Sequence, residues 1–473
     1  MSKVGKYFFI TFLCLLILCL VGVLYIFIFR GKDLFGICYI NLKKDEVSKS
    51  YDSAGISTIV LDSEKYAVQV SSTSDDQIYV DVKARSFGFS NINSDDLKIT
   101  SVNESGVLKF KIDEPNGLLF DNSSLIQLMI PSSMEIDLIL NNDKAKTKID
   151  LADTSVKTLN YNTKSGDCEF KSGKLTTGLN LKLGSATFNL EESVETDKPN
   201  VELNLSKGRF KAVNQDLGVV NVIKNKKGHI NIGSCAIINC EMKDAGGTIN
   251  VKEVNIANIK SSDTNLVFGT VKAGADIRLT ESGYVKIDKI NSKSIISTND
   301  GKITIKNSYA PLDLDSKDGN IKVTNAHFKV DAKTSYGDIN VTFNEEFDSG
   351  MGGKEDRVLV ATTKNGKVTA DNVYNANVAI SSKGRVDLTF NEVLGENNIV
   401  GANGEVNVKV SKDSVYTLKT SSEKGKVDVN LAQLPVGGYQ ERTEKVTHVN
   451  TSSESSNKIT ISTKSGQLKL SDY

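Results

Sequence analysis

Gly301-Lys-Ile303-Thr-Ile305, Gly319-Asn-Ile321-Lys-Val323 and Gly337-Asp-Ile339-Asn-Val341 follow one another at intervals of 18 residues. Each opens on a glycine and then alternates polar with apolar side chains, the pattern of a strand that buries one face. From residue 166 onward the phrase recurs fifteen times, at Gly166, Gly184, Gly208, Gly228, Gly247, Gly269, Gly283, Gly301, Gly319, Gly337, Gly366, Gly384, Gly404, Gly425 and Gly466, and ten of the fourteen intervals fall between 18 and 22 residues. A period of that length marks a coil of stacked supersecondary units. The chain is therefore expected to be all-β, a β-helix-like solenoid.

A second short strand lies between successive phrases, as in Pro311-Leu-Asp-Leu-Asp315, Phe328-Lys-Val-Asp-Ala332 and Val378-Ala-Ile380. Each coil thus has at least two strands. At about 3.3 Å per residue its perimeter is too short to enclose a cavity once Ile, Val, Leu and Phe point inward. The glycines usually follow Ser, Asp, Asn or Lys, as in Asn299-Asp300-Gly301 and Lys317-Asp318-Gly319. That is turn chemistry, and a positive backbone angle is the expected reason for glycine there. A phosphate cradle would lead into a helix, whereas each copy here leads into a strand.

Composition agrees with this reading. Lys plus Arg and Asp plus Glu number 58 each, Trp is absent and Pro numbers only 5. A balanced charge gives no field to gather nucleic acid, and the shortage of proline suits many short strands with polar turns.

Tyr7 to Phe29 is an apolar run of 23 residues. As a helix it is long enough to span about 30 Å of hydrocarbon. No small-x-small cleavage site follows it, and Cys14 and Cys19 each follow a leucine rather than the small residue of a lipoprotein signal. The expected plan is a cytoplasmic tail at 1–6, a signal anchor in membrane lipid at 7–29, a juxtamembrane stalk at 30–54, a β-rich lead-in at 55–140 and the solenoid at 141–473. Lys3 and Lys6 oppose Arg30 and Lys32, a near tie in the positive-inside count. The short basic tail before the run favours a single-pass protein whose carboxy-terminal part lies outside the cytoplasm.

Few residues carry the pattern of a functional site. Cys168 sits in an apolar slot, and Cys235 and Cys240, five apart, are expected on opposite faces of one strand. His229, His327 and His448 are far apart in sequence, with His229 in a polar slot. Asp313, Asp315 and Asp318 resemble part of a calcium loop, but the following glycine falls one place late and no closing Glu is placed. No catalytic, cofactor-binding or metal-ligating residue is assigned, and no cofactor is expected. Two spacings fail: Gly337 to Gly366, with Glu345 to Arg357 (EEFDSGMGGKEDR), and Gly425 to Gly466, with residues 434–457. Long loops near 345–357 and 434–457 are where a repetitive scaffold places specificity.

The recurrent Gly phrase, the early alternating strands, the apolar strand ending at Ile130-Pro131 and the last copy within Ser462 to Leu470 resemble the bacterial "putative adhesin" family, a β-strand-repeat domain of unknown function. The resemblance implies a β-solenoid at the cell envelope and supplies no catalytic residue. The expected role is adhesive, scaffold or envelope interaction, with a glycan, cell-wall or protein partner, and no enzyme is expected. An extracytoplasmic sensor or regulator and a polysaccharide-acting solenoid enzyme are the alternatives.

Overall fold

The computed structural model of the protein describes residues 11–22, 41–64, 66–88, 98–113, 119–120, 124–243, 246–346, 352–431, 447–450 and 456–473. The chain divides into two compact units, Met1–Lys174 and Leu175–Tyr473.

Residues 11–22 are helical. Their apolar side chains are exposed, Phe12 by 58% and Leu18 by 68%. Among the described residues no helix is long and apolar enough to cross a membrane. Residues 7–10 and 23–29 of the expected anchor lie outside the described residues.

In the first unit, strands stack in two series. Lys98–Glu104 runs antiparallel to Val107–Asp113, which continues in parallel through Thr58–Ser63, Glu135–Asn142 and Thr147–Thr163. Asn41–Asp52 runs antiparallel to Gln77–Gly88, and that strand in turn to Leu125–Pro131; Ala67–Thr73 and the start of Thr147–Thr163 follow in parallel. The segment read as a stalk therefore contributes a strand at 41–52. Its charged side chains mask the alternation of a strand, but an outermost strand needs only one apolar face, and charge along it discourages edge-to-edge association. In space Thr58–Ser63 lies between Val107–Asp113 and Glu135–Asn142, and Ala67–Thr73 between Leu125–Pro131 and the start of Thr147–Thr163, although both precede those neighbours in sequence.

The second unit is a β-solenoid with two parallel sheets. One sheet holds Val285–Ile290, Ile303–Ser308, Ile321–Ala326 and Ile339–Phe343 as neighbours. The other holds Ser294–Thr298, Leu312–Ser316, Val330–Thr334 and Val358–Thr363. Like residues stack on like: Ile303, Ile321, Ile339, Val368, Val386, Val406 and Leu468 form one inward column, each 0% exposed. Burying each such side chain contributes about 1.5 to 3 kcal/mol, and half of every contact belongs to a neighbouring rung.

The glycines occupy one corner, where the chain passes from the second sheet back to the first. Their reason differs from the expectation. Of the fifteen, only Gly247 has a positive φ, 90°. What excludes a side chain is the rung beneath: a Cβ on Gly301, Gly319, Gly337, Gly366 or Gly404 would overlap the carbonyl oxygen of the preceding glycine. Even at Gly228, among the looser places, it would lie 2.6 Å from Gly208 O. Three of the fifteen stand apart: Gly166 lies in the first unit, where Ala145 O would meet its Cβ, and two in the second unit do not belong to this column. Gly269 lies inside the strand Asn265–Leu279, and Thr264 takes the corner place beneath Gly283. Gly184 lies two residues before Ala186, which takes the place beneath Gly208.

The last rung in sequence is not the last in space. Lys458–Thr463 pairs with Glu396–Gly401 on one side and Thr417–Ser422 on the other. Leu468–Asp472 likewise lies between Val406–Val410 and Val427–Asn430. The two long loops leave from the same kind of corner, the passage from first sheet to second, opposite the glycine column.

Candidate functional site

With its inward positions spent on packing, the second unit has its chemistry on the corners and outward faces. The loop after Phe343 is tied down at its base. Arg357 is fully buried and its guanidinium donates from Nη1 to Asn344 O and from Nη2 to Glu346 O at 2.6 Å. Its planar head lies 5.7 Å from the centre of the Tyr374 ring, within reach of a cation–π contact. Lys354 pairs with Glu392 at 2.5 Å. Residues 347–351 of this loop, and 432–446 and 451–455 of the other, lie outside the described residues.

On the outward face of the first sheet, opposite charges alternate across rungs. Asp387 accepts from Lys367 and from Arg385, each at 2.7 Å, and Arg385 also meets Glu405 at 3.2 Å, which meets Lys469 at 3.1 Å. Burial alone would raise the Asp387 carboxyl, but hydrogen bonds from Lys367, Asn407 and Arg385 hold it below its ordinary value. Each charge here is answered by a neighbour, so the face attracts neither sign strongly.

The outward face of the second sheet differs over residues 219–278. Asn221, Asn239, Asn258 and Asp276 stand in one column. Asn239 Nδ2 donates to Asn221 Oδ1 and Asn258 Nδ2 to Asn239 Oδ1, both at 3.1 Å. Beside them run Val219, Ile237 and Ile256, partly exposed. A shallow concavity of about 540 Å³ follows the amide column.

The residues singled out from sequence do not converge. His229 is exposed on a strand, as its polar slot implies, and His448 lies in the strand Thr447–Asn450. His327 is only 4% exposed, stacked on Tyr309 at 4.7 Å with its Nε2 3.1 Å from Asn344 Nδ2. Asp313 and Asp315 point outward from the strand Leu312–Ser316, while the Asp318 amide donates to Asn299 O at the glycine corner. Burial raises the Asp315 carboxyl, with Lys333 lowering it and Asp313 raising it. Among the described residues no group of three His, Cys, Asp or Glu is placed to hold a metal ion.

Cys235 and Cys240 correct an expectation: both are buried, 4% and 3% exposed. Ala236 and Ile237 both fall on the half-exposed side, so the strand slips parity between the two thiols and both turn inward. Burial pushes both thiols up to about 12, with Asp216 adding to the effect at Cys235.

The model of the family described as Toastrack DUF4097 matches residues 56–371. No curated protein matches the sequence. The chain is similar to the crystal structure of a "putative cell adhesion protein" from Clostridium sporogenes ATCC 15579, at 12% identity over 91% of this chain and 100% of that one, with a TM-score of 0.14. A "putative adhesin" from Parabacteroides merdae ATCC 43184 is similar at 12% identity over 59% of this chain and 96% of that one, with a TM-score of 0.27. Another from Bacteroides fragilis NCTC 9343 is similar at 15% identity over 59% of this chain and 98% of that one, with a TM-score of 0.21.

Proposed function

This chain belongs to the Toastrack DUF4097 family, and we propose that it is a membrane-anchored cell-surface β-solenoid that works by adhesion or envelope interaction. One observation carries the proposal: in rung after rung the inward side chains are fully buried, while the outward ones form flat, regular columns. A scaffold of this kind offers area and repetition, which suits binding through many weak contacts.

The anchor is the run from Tyr7 to Phe29. Its described part is helical and exposes Phe12, Leu15, Leu18 and Leu20, a helix apolar on every side with no protein partner for those side chains. Residues 1–6 lie in the cytoplasm, and the strands of both units, from Asn41 onward, lie outside it.

Protease added to intact cells tests the topology, and attachment of those cells to cell-wall fragments tests the role. Cells carrying the protein should lose it to protease and adhere better than cells without it. Full protection from protease would overturn the orientation, and equal adherence would overturn the adhesive role.

A further inference from the structure

The amide column of the second sheet links three carboxamides in a row, where Asn307 and Asn325 on the first sheet link only two. Asn221, Asn239 and Asn258 are chained by side-chain hydrogen bonds of 3.1 Å. A carboxamide has two donor hydrogens and two acceptor lone pairs. The chain uses one donor of Asn239 and of Asn258 and one acceptor of Asn221 and of Asn239. Further donors and acceptors therefore face outward along the column at the rung spacing of about 4.8 Å.

Two neighbouring columns define what such a row can hold. On one side Val219, Ile237 and Ile256 present aliphatic surface, Ile256 being 36% exposed. On the other side Glu241 and Lys260 stand 3.9 Å apart. Asp276, at the end of the amide column, is held by Arg278 at 3.0 Å. With each of these charges paired, the concavity exerts little pull on phosphate, sulfate or carboxylate. It is lined by amides that give and accept hydrogen bonds and by Ile223, 56% exposed, while the strip of Val219, Ile237 and Ile256 lies on the other side of the amide column.

We propose that this face binds a neutral linear glycan lying along the column. Sugar hydroxyls, like carboxamides, both donate and accept, and the C–H face of a sugar ring covers aliphatic surface. A polymer meets several rungs at once, so contacts that are weak singly add up without new chemistry. The proposal rests on the adhesive reading and names its partner.

The test uses the full chain in detergent micelles with three probes: cellohexaose, chitohexaose and an anionic oligogalacturonate. The first two share the neutral chemistry and separate a plain hexose polymer from an N-acetylated wall-type strand. At least one of them should bind, with little dependence on salt. Replacing Asn239→Leu and Asn258→Leu together should weaken binding by about tenfold or more, as loss of one to two hydrogen bonds implies. Ile256→Lys should do likewise, and both variants should keep the wild-type β-sheet circular dichroism because the changed side chains are outward. Lys322→Ala with Asn340→Ala, on the first sheet, should bind as the wild type.

Equal binding by wild type and the amide variant would overturn the assignment of the face, as would binding of the oligogalacturonate alone. Adherence to wall fragments with no binding of either neutral hexamer would overturn this inference and leave the adhesive reading standing. Absence of both would overturn both.

Discussion

The backbone amide of Gly319 donates to the hydroxyl of Ser316 at 3.0 Å, and that hydroxyl donates in turn to Gly301 O of the rung beneath, also at 3.0 Å. One small side chain thus closes its own corner and ties it to its neighbour. The first of these bonds, from glycine amide to side-chain oxygen, recurs from Gly166 to Thr163, Gly337 to Thr334, Gly366 to Thr363, Gly425 to Ser422 and Gly466 to Thr463, and the Oδ1 of Asn225 accepts from Gly228 in the same way. A buried amide needs a partner, and close stacking of rungs keeps water away from this one.

Ser316→Ala should therefore destabilise the protein by about 1 to 3 kcal/mol, the cost of an unsatisfied buried donor. Ser316→Thr should lose far less. Chemical denaturation of the two variants measures the difference, and equal midpoints would show that the hydroxyl does not matter.

Gly337→Ala should cost about 1 to 3 kcal/mol or more, because its new methyl has nowhere to go but into the carbonyl of Gly319. Lys364→Ala, on an exposed corner one rung away, should stay within about 0.5 kcal/mol of wild type. Similar losses in both would refute the carbonyl stacking as the reason for glycine.

The inward columns were legible in the sequence because strand alternation at Ile303, Ile305, Ile321 and Val323 is a local property. The glycines were legible in place but not in cause, since close approach from another rung is written in the partner 18 residues away. The Ser or Thr three places before nine of the fifteen glycines was in plain view, yet single copies look like ordinary turn residues. The burial of His327 was not legible for a different reason. Asn325 adopts a positive φ of 52° and the register shifts between Val323 and Ala326, so the alternation that should predict burial breaks just before the histidine. Neither the intercalated rung 458–472 nor the amide column could be read from local pattern, because both arise from which rung lies beside which.

Arg357→Leu should free the loop it anchors without unfolding the solenoid. The substitution removes both donors to Asn344 O and Glu346 O and the stacking on Tyr374. Limited proteolysis should then cut between residues 344 and 357 under conditions that leave the wild type intact. Arg357→Lys should give an intermediate rate, since an ammonium cannot reproduce the planar fork. An unchanged cleavage pattern would remove Arg357 from this role.

Asp387 ties part of the stability to pH. Its carboxyl is held below its ordinary value in the folded state, so its contribution is present above the unfolded value of about 3.9 and is lost as pH falls through the lower folded value. Stability of the wild type should exceed that of Asp387→Asn near neutral pH, and the gap should close in that acidic window. High salt should narrow the gap at neutral pH as well, because Lys367 and Arg385 are about half exposed and their attraction is screened. A gap that is constant with pH would assign the effect to shape rather than charge.

Removing residues 458–473 should unfasten the rung that precedes them in sequence. Thr417–Ser422 and Val427–Asn430 bond to the carboxy-terminal rung, and the other described partner of Thr417–Ser422 is the antiparallel strand Thr447–Asn450. Neither has a ladder to residues 396–410, which bond instead to 458–472. In a stack stabilised by nearest neighbours, loss of the middle rung uncouples the outer one and leaves distant rungs unaffected. Hydrogen exchange of the truncated chain should therefore show amides of 417–430 unprotected while those of 303–343 exchange as slowly as in the full chain. The competing outcome is physically well defined, because Gly425 and Gly466 occupy the same place in their corners. If 417–430 remained protected, it would have restacked directly on 396–410, and the order of rungs at this end would be set by competition rather than by an exclusive fit.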